Sequence, residues 1–152
     1  MVASDDSLVE LTFGAKAEVP TATVSGNAHP ILRETQRQLD EYFAGTRQMF
    51  DLPLAPPDQP FGRLAWEALL NIPYGQTRSY GQQAIAIGRP TAVRAVARAN
   101  GANRIAIVIP CHRVIGSNGS LTGFGGGLPI KRWLLDHEAV VAGRSQSLFA
   151  VG

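Results

Sequence analysis

Residues 51–60 read DLPLAPPDQP, four prolines in ten positions. Proline lacks a backbone N–H and has a fixed φ, so this stretch continues neither a helix interior nor a central strand. It divides the 152 residues into a short first part, 1–50, a linker, 51–60, and a longer second part, 61–152. The length suits one domain or two very small ones, enough to bury a core of marginal stability.

In the first part, SLVELTF alternates. Val9, Leu11 and Phe13 share one face and Glu10 and Thr12 the other, the pattern of a strand. VPTATVSG is a weaker strand candidate ended by Gly26. HPILRETQRQLDEYFAG reads as a helix with Pro30 at its first position and Gly45 as its stop. Ile31, Leu32, Leu39 and Phe43, with the polar Gln36 among them, follow the helical period.

In the second part, FGRLAWEALLNIPYG reads as a helix stopped before Pro73, with Phe61, Leu64, Ala65, Leu69 and Leu70 as its buried stripe and Trp66 at the edge. A short helix is expected over residues 80–87, ended by Gly88. A second starts at Pro90 and Thr91 and ends at Gly101. Two short helices joined by a tight glycine turn form the helix-turn-helix pattern, and the second is the recognition helix. RIAIVI is a compact apolar run, read as a buried strand or extended segment that delivers the chain to Cys111. GSNGSLTGFGGG is a loop with six glycines, and PIKRWLLDHEAVV closes the chain as a helix. The fold class is therefore α+β: a small N-terminal strand/helix domain followed by a mostly helical C-terminal domain with a helix-turn-helix.

A composition of 45% hydrophobic and 17% charged residues is ordinary for a soluble globular chain. The net charge of +2 permits nucleic-acid contact without establishing it. One cysteine leaves no internal disulfide, which fits a reducing compartment. One cysteine and three scattered histidines are too few for a zinc site, so no metal is expected. The first residues lack the pattern of a secretory signal, and no apolar run approaches the ~20 residues of a membrane span. The expected location is cytoplasmic, nucleoid-associated in a prokaryote or nuclear in a eukaryote, with no membrane partner.

Cys111 lies within IPCHRVI. A lone cysteine is commonly a small buried hydrophobe. Here Pro110 ends the apolar run, and His112 and Arg113 bring cationic character, which lowers a thiol pKa. A nucleophile needs a base, and the base an orienting group. Adjacent residues do not face each other on a strand or helix, so His112 reaches the thiol only through a water or a turn of the backbone. Glu138 is a candidate to hold the imidazole; the alternative is a solvated helix face. The recognition helix surrounds Arg94 with Ala92, Val93, Ala95, Val96, Ala97 and Ala99. It is too poor in polar groups to read base edges. Either it is an alanine-rich helix whose arginines reach solvent, or small residues press it into a groove with Arg94 between bases and Arg98 on phosphate. The glycine loop lacks the marks of a phosphate-binding or dinucleotide loop. Either it is a surface loop, or its backbone packs against a flat ligand with Phe124 as a stacking face.

Together these residues resemble the O6-alkylguanine-DNA alkyltransferase (methylated-DNA–protein-cysteine methyltransferase) family. IPCHRVIG carries that family's P-C-H-R-V signature, and PYGQTRSYGQQA, AVRAVARANGAN, GFGGG and KRWLLDHE match in order and at the expected separations. The likeness runs from about Phe61 to Glu138, with residues 1–50 a shortened version of the family's first domain. Where many members carry glycine this chain has Ala97 and Arg98, and Phe124 replaces a common tyrosine. The resemblance implies DNA repair by direct, single-turnover transfer of an alkyl group from O6 of a flipped-out guanine to Cys111. In that scheme His112 deprotonates the thiol through a water, Glu138 orients His112, Asn103 sits behind the thiol, and Tyr80 gives a proton to the departing guanine. Arg94 enters the base stack, and Ser79, Thr91, Ala95 and Arg98 meet DNA. Val114, Phe124, Gly125 and Gly126 line the guanine pocket. The implied partner is double-stranded DNA carrying O6-alkylguanine, approached through the minor groove by a monomer without cofactor. The related alkyltransferase-like proteins, which bind such lesions without repairing them, lack the cysteine. A Cys/His hydrolase is the remaining alternative, and the adjacency of Cys111 and His112 argues against it.

Overall fold

The computed structural model describes residues 1–13 and 29–143, and their architecture is α+β. The strand expected at VPTATVSG lies outside the described residues.

The chain opens as an antiparallel hairpin of β1 (Val2–Ala3) and β2 (Leu8–Glu10). The expected alternation is displaced. Leu8 and Leu11 are the buried residues, whereas Val9 and Phe13 are half-buried. The pairing explains this. Leu8 exchanges backbone hydrogen bonds with Pro53 and Ala55, and Leu11 does so with Arg104 and Ala106. A register irregularity in the hairpin breaks the two-residue period that the sequence pattern assumed. The proline-rich stretch is thus fastened on one side through Leu54, the bridge partner of Leu8. On the other, the Gln38 side-chain amide donates to the Asp51 carbonyl and accepts from its N–H.

Helix α1 (Pro30–Phe43) has Pro30 in its first turn, where no intrahelical N–H is needed. His29 caps it through Nδ1, which accepts from the Ile31 amide at 3.2 Å. Its buried side is Thr35, Gln38, Leu39 and Tyr42, one face at helical spacing, while Ile31, Leu32 and Phe43 are half-buried. In α2 (Pro60–Leu70) the buried residues are Ala65 and Leu69. Leu64 and Leu70, expected inside, are exposed.

Helices α3 (Tyr80–Ala86) and α4 (Val93–Gly101) form the helix-turn-helix. Ser79 and Gln82 make a reciprocal capping box at the start of α3. Helix α4 begins later than Pro90, because the Ala92 amide turns back onto the Arg89 carbonyl. Gln83 and Asn100 lock the two helices with a buried pair of amide hydrogen bonds at 2.9 and 2.7 Å. A third bond, 3.2 Å from Gln83 to the Ala65 carbonyl, ties them to α2.

Two residues on each side make the parallel ladder of β3 (Arg78–Ser79) and β4 (Val114–Ile115). Short as it is, it joins the entrance of α3 to the segment after Cys111. Helix α5 (Leu128–Val141) then packs against that segment.

The run 104–109 is not a strand. Only Ile105 makes a bridge, to Leu11. Beyond it the chain folds into overlapping turns. Ile105, Ile107, Val108 and Ile109 are all buried, which an unbroken apolar run satisfies by coiling into the core as readily as by joining a sheet. The core itself draws Leu8, Leu39 and Tyr42 from before the linker and Leu69, Val114 and Leu134 from after it. Each such buried side chain stabilises by roughly 1.5–3 kcal/mol.

Candidate active site

Cys111 opens a single 3-10 turn, Cys111–Arg113. Two tight reversals bring the chain there. The Val108 amide bonds the Ala106 carbonyl across Ile107, whose φ is +70°. This conformation is strained for a β-branched residue. The Cys111 amide then bonds the Ile109 carbonyl across Pro110, at φ −82° and ψ 60°, the relaxed form of the same turn. Asn103 braces both ends. Its amide nitrogen donates to the Ile109 carbonyl at 2.9 Å and to Cys111 Sγ at 3.2 Å, and its oxygen accepts from the Ile105 amide at 3.0 Å.

The 3-10 turn sends His112 inward, where it is fully buried. Its Nε2 lies 2.6 Å from Glu138 Oε2. A carboxylate only accepts, so Nε2 carries the proton. Nδ1, on the other side of the ring, is buried and has no hydrogen-bond partner in the protein. It is the nitrogen left to take a proton. Glu138 is no solvated helix residue: it is 1% exposed and accepts from five donors. These are His112 Nε2, Tyr42 Oη at 2.6 Å, Arg113 Nε at 2.7 Å, Arg113 Nη2 at 3.1 Å and the Gly75 amide at 3.3 Å. Arg113 also donates to the Ile72 carbonyl at 2.8 Å.

The electrostatics follow from this packing. Burial raises the Glu138 pKa, but His112 and Arg113 outweigh it and hold the carboxyl well below its ordinary range. Burial lowers the His112 pKa despite the neighbouring Glu138, so the imidazole is neutral at neutral pH. Burial raises the Cys111 pKa; the Asn103 hydrogen bond and the Lys131 charge only partly offset it. This corrects the expectation of a thiol acidified by its chain neighbours. Arg113 spends its charge on Glu138, and His112 carries none. The resting sulfur is a thiol, and a base must act on it.

Lys131, unnoticed in the sequence, is also buried. Its Nζ donates to the Val114 carbonyl at 2.6 Å and the Thr122 carbonyl at 2.8 Å, tying the glycine loop to β4. Burial lowers its pKa to about 8. The Tyr80 hydroxyl donates to the same Thr122 carbonyl at 3.1 Å, and the Tyr80 ring lies 5.9 Å from Lys131 Nζ. The β3–β4 ladder thus brings Tyr80, Lys131 and the Cys111 turn together.

The family model described as 6-O-methylguanine DNA methyltransferase, DNA binding domain, matches residues 60–140. The one described as 6-O-methylguanine DNA methyltransferase, ribonuclease-like domain, matches residues 1–56. The chain belongs to the 6-O-methylguanine DNA methyltransferase family. It is 52% identical over 123 residues to the methylated-DNA–protein-cysteine methyltransferase of Methanosarcina acetivorans, covering 81% of this chain and 78% of that one. Identity to the constitutive methylated-DNA–protein-cysteine methyltransferase of Bacillus subtilis is 49% over 122 residues, covering 78% and 74%. The crystal structure of Mycobacterium tuberculosis OGT in complex with DNA superposes with a TM-score of 0.71 at 52% identity, covering 72% of this chain and 68% of that one.

The other residues singled out in this 6-O-methylguanine DNA methyltransferase family member fall in two groups. Arg94, Arg98 and Thr91 are exposed on and before α4, Ala95 is half-buried, and Ser79 caps α3. Near the thiol, Val114 is wholly buried and meets the site through its carbonyl. Phe124 packs against Phe13 with ring centroids 5.7 Å apart. Gly126 has no room for a Cβ, which would lie 2.5 Å from Phe13 and 2.9 Å from Phe124, whereas Gly125 faces open space. The constraint on Gly126 therefore comes from the protein's own rings. Sequence reasoning missed Tyr42, Lys131 and the role of Arg113. A buried stripe at positions 35, 38, 39 and 42 of α1 was the available signal for Tyr42.

Proposed function

We propose that this protein repairs DNA by moving an alkyl group from O6 of guanine to Cys111, once per molecule. The observation that carries the reading is the thiol on an Asn103 brace beside a buried, neutral His112 whose Nε2 is held by Glu138 and whose Nδ1 is unbonded. The Sγ–H proton passes through a water to Nδ1, and the sulfur attacks the alkyl carbon. As the S–C bond forms the C–O6 bond breaks, leaving its electron pair on guanine. Tyr80 donates a proton to the base, and exchange with solvent restores Tyr80 and His112. A donor aimed at developing charge is what makes a reluctant leaving group depart.

The target base must leave the duplex first. Arg94, exposed amid small residues on α4, takes its place in the stack; Arg98, Thr91, Ser79 and Ala95 lie along the DNA backbone. A helix with so few polar groups suits the minor groove, whose sequence code is sparse. The guanine rests against Phe124, Gly125 and the Val114 segment, with Gly126 kept bare beneath. On this reading residues 1–50 are a shortened first domain and 61–152 the alkyl-accepting, DNA-binding one. The protein works as a monomer in the cytoplasm, on the nucleoid in a prokaryote.

The test is an intact mass after incubation with a duplex containing O6-methylguanine. One added methyl group, mapped to Cys111 and lost in Cys111→Ala, is the expected result. Repeated release of repaired DNA by unmodified protein overturns the proposal.

A further inference from the structure

We propose that Tyr42, contributed by α1 from the far side of the proline-rich stretch, is a positioning residue for alkyl transfer: its hydroxyl sets how strongly Glu138 holds His112. This rests on the alkyl-transfer reading and adds to it a group from the first part of the chain.

The geometry is specific. The Tyr42 hydroxyl donates to Glu138 Oε2 at 2.6 Å, the same oxygen that faces His112 Nε2 at 2.6 Å. The phenol and the imidazole therefore compete for one acceptor. Tyr42 is wholly buried, and burial together with the Glu138 charge raises its pKa far above the ordinary value, so it stays protonated and always donates. Its own carbonyl accepts from His137 Nε2 at 2.8 Å. One residue thus grips α5 at two successive positions, 137 and 138. The ring is held by Phe43, Phe50, Tyr74 and His137, with centroids 5.4–6.1 Å away.

Among the described residues the charged and titratable groups around Tyr42 and His112 are few, and on His112 they include the Lys131 charge. Helix α5 supplies Glu138 and His137, the 3-10 turn His112 and Arg113, and the loop after α2 Tyr74. Arg113 takes mainly the other oxygen, Oε1, and stacks 5.5 Å over the Tyr74 ring. Its Nε bond to Oε1 is independent of Tyr42, while its Nη2 reaches Oε2 at a longer 3.1 Å beside the phenol and the imidazole. Removing the phenol oxygen returns hydrogen-bonding capacity on Oε2 to His112. The imidazole becomes more basic and is protonated sooner as pH falls. A protonated His112 cannot take the Cys111 proton.

Tyr42→Phe keeps the ring and deletes the donor. The measurement is the rate of methyl transfer to Cys111 from duplex O6-methylguanine between about pH 5 and 9, alongside the imidazole pKa of His112 by NMR. The expected result is an acid limb displaced upward by about one pH unit, a severalfold slower reaction on that limb, and an unchanged plateau at alkaline pH. A matching rise in the His112 pKa is expected. A profile that superimposes on the native one overturns the inference. So does a uniform fall at every pH with the His112 pKa unmoved, which is the signature of a merely structural role. Should Tyr42→Phe not fold, 3-fluorotyrosine at position 42 keeps the packing and strengthens the donor. The acid limb must then move down, and no movement overturns the inference. A native protein that transfers no alkyl group at any pH sinks the repair reading instead, so the two failures are distinguishable.

Discussion

The thiol, the imidazole and the carboxylate each sit where burial opposes charge, and the hydrogen bonds decide which charge survives. Only Glu138 is held ionised, by donors from three segments of chain. Asn103 is the one side chain that favours the Cys111 thiolate by direct contact. Asn103→Ala should raise the thiol pKa further, read from the pH dependence of alkylation by iodoacetamide. Losing its bonds to Ile105 and Ile109 should cost about 1–3 kcal/mol of stability; an unchanged thiol profile would contradict the assignment. The pH dependence of folding follows from the same site. His112 is harder to protonate when folded, so the unfolded chain takes up that proton first, near its ordinary pKa of about 6.5, and stability drops as pH falls through that value. Glu138 is likewise harder to protonate when folded, so its contribution is present above the ordinary carboxyl pKa of 4.5 and lost as pH falls further below it. Urea midpoints should therefore decline from about pH 7 to 4, and His112→Gln should remove the part above about pH 5.5. Cys111 and His112 were readable because a thiol beside an imidazole, after a proline that ends an apolar run, is chemically loaded. The acidity of the thiol was misread because burial dominates it while Arg113 turns to Glu138, and chain adjacency fixes neither.

Among the elements, α4 carries the exposed Arg94 and Arg98 and is held from behind by the Gln83–Asn100 amide pair. The front of the helix is thus free of structural duty. Arg94→Ala should leave folding within about 0.5 kcal/mol and leave reaction with free O6-benzylguanine unchanged, while slowing repair of O6-methylguanine in a duplex. Equal losses on both substrates would mean Arg94 does not enter the stack. The start of α1 at Pro30 and the end of α4 at Gly101 were legible because proline and glycine act through local backbone geometry, whereas the turn at Arg89–Ala92 moves the start of α4 from Pro90 to Val93. The run at 104–109 was not legible. Its residues have strand propensity, and only long-range packing with Leu11 and the core tells a coil of tight turns from a strand.

Taken as one body, the molecule ties its two ends around the linker. Leu8 pairs with the proline-rich stretch, Leu11 pairs with the segment that leads into Cys111, and Tyr42 reaches Glu138. Leu8 is fully buried, so Leu8→Ala should cost about 2–5 kcal/mol in a single cooperative unfolding transition followed by fluorescence and circular dichroism. Two separate transitions would show that the parts unfold independently. None of these ties was legible in advance. A strand pattern shows which residues seek burial but not which distant backbone they pair with, and a proline-rich sequence looks like a spacer whether or not its carbonyls are used. The raised pKa of Cys111 has a further consequence at this scale. On the proposed chemistry each molecule owns one unspent sulfur, and thiolate is the form that peroxides and stray electrophiles consume. Keeping the sulfur protonated until a lesion is seated gives the protein a long shelf life, so that the cell's repair capacity is depleted by damaged DNA and not by the passage of time.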